Sequence, residues 1–122
     1  MKLLLIEDNL EIIFLAKDLA KRFNISLTLG RNTSDYLLLT KNRKYDFILC
    51  DLNLDYDFEG FDIIKFHKKS KNKSKIIAFS SENISPEIFL SNGFDDVLQK
   101  QFNHIYSFFE KFSNKSIISS QV

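Results

Sequence analysis

The sequence predicts an α/β fold in which an open parallel sheet is wound with helices on both faces. Short apolar runs alternate with longer segments of helix-spaced apolar residues from one end of the chain to the other. The 122 residues, 44% of them hydrophobic, suffice for one domain with a real core. No apolar run approaches the roughly 18 residues of a membrane span, and no segment repeats.

The elements follow in order. "KLLLI" (Lys2 to Ile6) is the first strand, and Leu10 to Phe23 carries apolar residues at helical spacing. Ser26 to Leu29 is the second strand. The "RNTSD" stretch offers a cap for a helix over Ser34 to Asn42. Phe47 to Cys50 is the third strand, and a helix over Phe61 to Lys69 follows Gly60. Lys75 to Phe79 is the fourth strand. Ser85-Pro86 starts a short helix, with Pro at its first position, that stops at Asn92-Gly93. Val97 to Gln99 is the fifth strand, and Asn103 to Phe112 closes the domain with Ile105, Phe108, Phe109 and Phe112 on one helical stripe. The domain is thus expected over 1–112, followed at 113–122 by a short polar tail and no output domain.

Composition narrows the function. Seventeen Lys+Arg against 16 Asp+Glu give a formal charge of +1, so no global field attracts nucleic acid or an anionic membrane, and neither is an expected partner. The run "KFHKKSKNKSK" reads as a solvated loop on the side away from the acidic residues. Cys50 is the single cysteine and reads as a small core hydrophobe. The N-terminus turns acidic too soon for a signal peptide, so a cytoplasmic location is expected. His67 and His104 have no Cys or His at metal spacing, which argues against zinc.

The chemistry lies where the strands end. Right-handed parallel crossovers put a switch point beside the first strand in both common strand orders, and ligands bind there, outside the carboxyl ends. In the flavodoxin-like order 2-1-3-4-5, Glu7 and Asp8 after the first strand converge with Asp51 after the third. Glu7 and Asp8 alone read equally well as acids favoured by a helix N-terminus. Three convergent carboxylates, however, need a proton or a hard cation among them, and oxygen ligands favour Mg²⁺. The fourth strand ends in "AFSSE" with the hydroxyl of Ser80, and the fifth in "LQKQ" with the ammonium of Lys100. Acids, a metal, a hydroxyl and an ammonium around Asp51 make a phosphoryl acceptor with Asp51 as nucleophile.

These motifs in this order resemble a stand-alone, chemotaxis-type receiver domain of bacterial two-component response regulators. "LLIEDN" resembles the acidic pair, "FILCDLNL" the phosphoacceptor strand, "IIAFSSE" the hydroxyl strand and "VLQKQF" the lysine strand. The resemblance implies that Asp51 accepts a phosphoryl group from a histidine kinase or phosphotransfer protein. It implies Mg²⁺ held by Glu7, Asp8, Asp51 and the Asn53 carbonyl, with Ser80 and Lys100 contacting the phosphoryl group. Asn53 and Glu82, each two residues after a site residue, resemble fast-cycling receivers and imply a short phosphate lifetime. Three positions depart from the family: Gln101 where Pro is usual, Val97 where an aromatic switch is common, and a "DLNLDYDFEG" loop without Met-Pro.

In such receivers the first helix docks the phosphodonor. "LEIIFLAKDLA" places Ile12, Ile13, Phe14 and Leu15 in succession, more than one helix face can bury, so Ile13 or Phe14 is expected at the surface. Ile12, Ile13, Phe14 and Tyr106 are the expected partner surface, with a downstream protein as output and a monomer or weak homodimer as the assembly. Asp55, Asp57, Glu59 and Asp62 are expected to be solvated. Two rival readings stand beside this one: a phosphorylation-independent adaptor, mildly favoured by Val97 and Gln101, and a small Mg²⁺-dependent phosphohydrolase. The latter wants an acid-base carboxylate two residues after its nucleophile, where Asn53 stands.

Overall fold

A computed structural model of the protein describes residues 1–112, and the expected tail at 113–122 lies outside the described residues. The elements are β1 (Lys2–Ile6), α1 (Leu10–Arg22), β2 (Ser26–Gly30), α2 (Thr33–Thr40), β3 (Phe47–Asp51), α3 (Glu59–Lys69), β4 (Lys75–Ser80), α4 (Pro86–Ser91), β5 (Asp96–Gln99) and α5 (Phe102–Lys111). The five strands form one sheet in the order β2-β1-β3-β4-β5, every pair parallel, so the expected doubly wound fold is what the chain adopts. No helix is long and apolar enough to cross a membrane among the described residues.

Strand side chains alternate between two cores. Leu4, Ile6, Ile48, Cys50, Ile76 and Ala78 pack with Tyr36, Ile63, Ile64 and Phe89 beneath α2, α3 and α4. Leu3, Leu5, Leu49, Ile77 and Phe79 pack with Ala16, Leu19, Ile105 and Phe109 beneath α1 and α5. The central strands are therefore apolar on both faces, as strands of a parallel sheet covered on both sides must be. Cys50 is buried as expected, and burial pushes its thiol above the usual range, which keeps it protonated.

Local chemistry sets the helix ends. Asn9 caps α1 by accepting from the Ile12 amide at 3.1 Å, and Asn32 caps α2 from the Asp35 amide at 2.9 Å. Gly93, with φ +113°, takes the left-handed position after α4 that other residues rarely adopt. The second helix starts one residue earlier than expected and ends at Thr40, leaving Lys41 to Lys44 as a basic loop. The third starts at Glu59, two residues before the expected Phe61, because Glu59 is itself anchored in the structure. It is 2% exposed, and its carboxylate accepts from the Thr33 amide, the Thr33 hydroxyl and the Asp55 amide at 2.8, 2.6 and 2.8 Å. The expectation of a solvated Glu59 is thereby corrected: it ties the β3–α3 loop to the start of α2.

The first helix exposes one of the two residues expected at the surface. Phe14 is 62% exposed, but Ile13 is only 7% exposed, because it shares one stripe with Ala16 and Ala20 against the sheet. His67, set aside as a zinc ligand, is buried. His67 accepts the Tyr36 hydroxyl at Nδ1 (2.6 Å) and donates from Nε2 to the Ser74 carbonyl (2.8 Å), an arrangement fixed by the carbonyl's inability to donate. Burial lowers the His67 pKa, so the ring is held neutral.

Candidate functional site

The acidic residues meet because two adjacent parallel strands, β1 and β3, end at the same edge. β1 ends at Ile6, paired with Cys50, so Glu7 and Asp51 follow one another into the crevice. The nearest oxygens of Glu7, Asp8 and Asp51 lie within 4.8 Å of one another. Glu7 is fully buried and Asp51 is 6% exposed. Such acids need a cation, and the fifth strand supplies one: Lys100 Nζ lies 2.7 Å from Glu7 Oε1 and 2.8 Å from Asp51 Oδ1. Its ammonium also sits 5.2 Å from the centre of the Phe79 ring. Lys100 reaches this position with Gln101 behind it, and no cis peptide occurs among the described residues.

One cation does not balance the cluster. Burial, followed by the nearby Asp51 charge, pushes the Glu7 carboxyl up to about 7, despite the opposing pull of Lys100. Glu7 Oε2 is anchored by the amides of Asp8 and Asn9 at 3.1 and 3.2 Å. The site thus carries excess negative charge on oxygen donors at fixed positions, a donor set that fits a hard divalent cation.

The backbone beneath Asp51 is tightly packed. The Gly60 amide donates to the Leu52 carbonyl at 2.8 Å, and a Cβ on Gly60 would lie 2.5 Å from the Asp51 carbonyl oxygen. Only glycine lets α3 start this close to the acceptor strand. Preceding it, Phe58 holds a left-handed φ of 63°, with its amide bound to Asn53 Oδ1 at 2.8 Å.

Ser80 follows Phe79, the residue paired with Asp51 on β4, and is 3% exposed. Its hydroxyl oxygen accepts the Glu82 amide at 2.9 Å. Asn53 and Glu82, read separately in the sequence, touch: Asn53 Nδ2 donates to Glu82 Oε1 at 2.9 Å. Beside Lys100 a cleft of about 360 Å³ opens between the β4–α4 and β5–α5 loops. Val97 is half-buried opposite Ala78 and packs into the core beneath α4.

The expected partner surface is only partly there. Phe14 is exposed, Ile12 is half-buried and Ile13 is buried. Tyr106 is half-buried, edge-on to Phe23 at 5.4 Å. Two exposed apolar residues, Leu10 (60%) and Phe102 (63%), went unread, although each opens a helix beside a site residue.

Comparison with known proteins agrees with this fold. The family model "Response regulator receiver domain" matches residues 3–106. The Francisella response regulator 1452 receiver domain superposes with a TM-score of 0.73 at 21% identity, covering 94% of this chain and 98% of that one. The receiver domain of the Pseudomonas aeruginosa sensor histidine kinase PA1611, solved with magnesium in its active-site cleft, gives 0.75 at 20% identity, covering 91% and 95%. The Vibrio cholerae chemotaxis regulator CheY4 gives 0.76 at 17% identity, covering 90% and 96%. No curated protein matches the chain by sequence. With five parallel strands in the receiver order and its acids, hydroxyl and lysine at their carboxyl ends, the chain belongs to the response regulator receiver domain family.

Proposed function

We propose that this receiver domain is a working phosphoacceptor, with Asp51 as the residue that takes a phosphoryl group from the phosphohistidine of a kinase or phosphotransfer protein. The observation that carries the proposal is the position of Asp51: nearly buried, held by Lys100 at 2.8 Å, and clustered with Glu7 and Asp8. Lys100 occupies Oδ1, so attack falls to Oδ2. A phosphorus–oxygen bond forms to Asp51 as the phosphorus–nitrogen bond breaks, and the donor imidazole leaves with that electron pair. Lys100 offsets the charge that gathers on the phosphoryl oxygens, and Ser80 rotates from the Glu82 amide to donate its hydroxyl. Glu7, Asp8, Asp51 and the Asn53 carbonyl would hold Mg²⁺, which supplies neutralising charge for phosphoryl transfer. Asn53 and Glu82 would order the water that hydrolyses the acyl phosphate. Leu10 and Phe14 on α1, with Tyr106, would meet the donor.

The test is a pair of amide NMR spectra in Mg²⁺, with and without beryllofluoride, an acyl-phosphate mimic, with Asp51→Asn as control. Shifts that need Asp51 and spread from Ser80 to α4 and α5 are expected. A response to Mg²⁺ without any response to the mimic would overturn the acceptor role and leave an adaptor that keeps only the metal site.

A further inference from the structure

The net charge of +1 conceals a sorted surface. The acids of the site collect at the carboxyl ends of the strands, while basic residues collect at the opposite edge, where the strands begin. Two loops nearly thirty residues apart supply most of them: Lys41, Arg43 and Lys44 before β3, and Lys71, Lys73 and Lys75 before and at the start of β4. Asn72 staples the loops together, its Nδ2 donating to the carbonyls of Thr40 and Arg43 at 3.1 and 2.8 Å. The cleft between them shares Asn42, Arg43 and Lys44 with a hollow that reaches Lys2, Ser26 and Thr28. It also shares Asn72 and Lys73 with a hollow that reaches Lys68 and Asp95.

The result is a groove running along the sheet's starting edge from β2 to the approach to β5, about 19 Å at the usual strand spacing. Eight cations line it, all exposed, against one carboxylate, Asp95, which accepts the Ile76 amide at 2.8 Å. The adjacent Asp46 likewise accepts a backbone amide, that of Lys2, at 2.7 Å. The ion pairs among the described residues are those of Lys100 at the far end, so these cations have no carboxylate within salt-bridge distance.

We infer that this groove binds the phosphodiester backbone of nucleic acid without regard to sequence. A linear file of cations suits an extended polyanion of regular charge spacing, and side chains such as Ser26, Thr28 and Asn42 add hydrogen bonds to phosphate and sugar. A membrane surface is disfavoured because the large apolar side chain on the wall, Tyr45, is 4% exposed and cannot insert. The acidic crevice at the far edge is repelled by the same polyanion, which would leave Asp51 facing solvent and open to its donor.

The experiment is fluorescence anisotropy of a labelled mixed-sequence duplex with the full chain. If four of the cations pair with phosphates, affinity falls about 100-fold between 50 and 200 mM salt. The double variant Lys71→Glu/Lys73→Glu is expected to weaken binding at least 10-fold, and Lys17→Glu/Arg31→Glu, with the same change in charge away from the groove, less than 2-fold. All four side chains are exposed, and circular dichroism checks that each variant folds. Equal losses in the two variants, or no duplex binding at 50 mM salt, would overturn the inference. Groove-dependent binding to phosphatidylserine vesicles without duplex binding would instead assign a membrane surface. Salt-sensitive self-association without duplex binding would assign the acidic end of a second copy.

Discussion

Glu7→Gln should stabilise the metal-free protein, and by an amount that grows with pH. Glu7 is fully buried and its carboxyl is pushed from 4.5 up to about 7, first by burial and then by Asp51. The folded protein therefore holds this proton more tightly than the unfolded chain does. The stability linked to that proton is complete below about pH 4.5 and is lost as the pH rises through about 7. At about 1.4 kcal/mol per tenfold change in proton affinity, ionised Glu7 costs the fold roughly 3 kcal/mol. Glutamine mimics the protonated acid in shape and in its bond to the Asp8 and Asn9 amides, and it does not titrate. Urea denaturation followed by circular dichroism should show the two proteins differing little near about pH 4, with the variant ahead by roughly 3 kcal/mol near about pH 8. Saturating Mg²⁺ should narrow the gap, because the ionised acid then has a partner. A difference that stays constant across that range would refute the assignment of the buried charge to Glu7.

Gly60→Ala should lower stability by about 3 kcal/mol in the same assay, since its Cβ would meet the backbone of Asp51 at 2.5 Å and Leu52 at 2.9 Å, and neither can turn aside. Glu59→Ala should cost about 3 kcal/mol, because it strands the Thr33 and Asp55 amides, and amide exchange should rise in the β3–α3 loop. Asn53→Ala combined with Glu82→Ala should lengthen the lifetime of phosphorylated Asp51, read as the decay of the phosphoprotein on a phosphate-affinity gel; an unchanged decay removes their role in hydrolysis. Phe14→Asp should slow phosphotransfer from a phosphodonor protein more than 10-fold while leaving phosphorylation by acetyl phosphate intact, since about 1.4 kcal/mol of lost contact suffices for that factor. Equal loss with both donors would point to a disturbed site.

The architecture was legible in the one-dimensional pattern. Apolar runs of strand length alternate with helix-spaced segments, and a parallel sheet wound by short connections has few topologies to choose from. The site was legible for the same reason. Glu7, Asp8, Asp51, Ser80 and Lys100 each end a strand or follow one within two residues, and parallel strands deliver such residues to one edge. What the pattern could not decide depends on which neighbours a side chain meets. Glu59 looks like any acid at a helix start until Thr33 and Asp55 close around it. Ile13 and Phe14 are equivalent in composition, and only the angle at which α1 sits on the sheet buries one and exposes the other. Asn53 and Glu82 become one hydrogen-bonded pair only because β3 and β4 end side by side. Charge shows the divide most plainly, for Lys+Arg and Asp+Glu nearly cancel along the chain. Parallel winding then sends the loops before the strands to one edge and those after them to the other, so a nearly neutral sequence folds into a molecule with an acidic crevice and a basic groove.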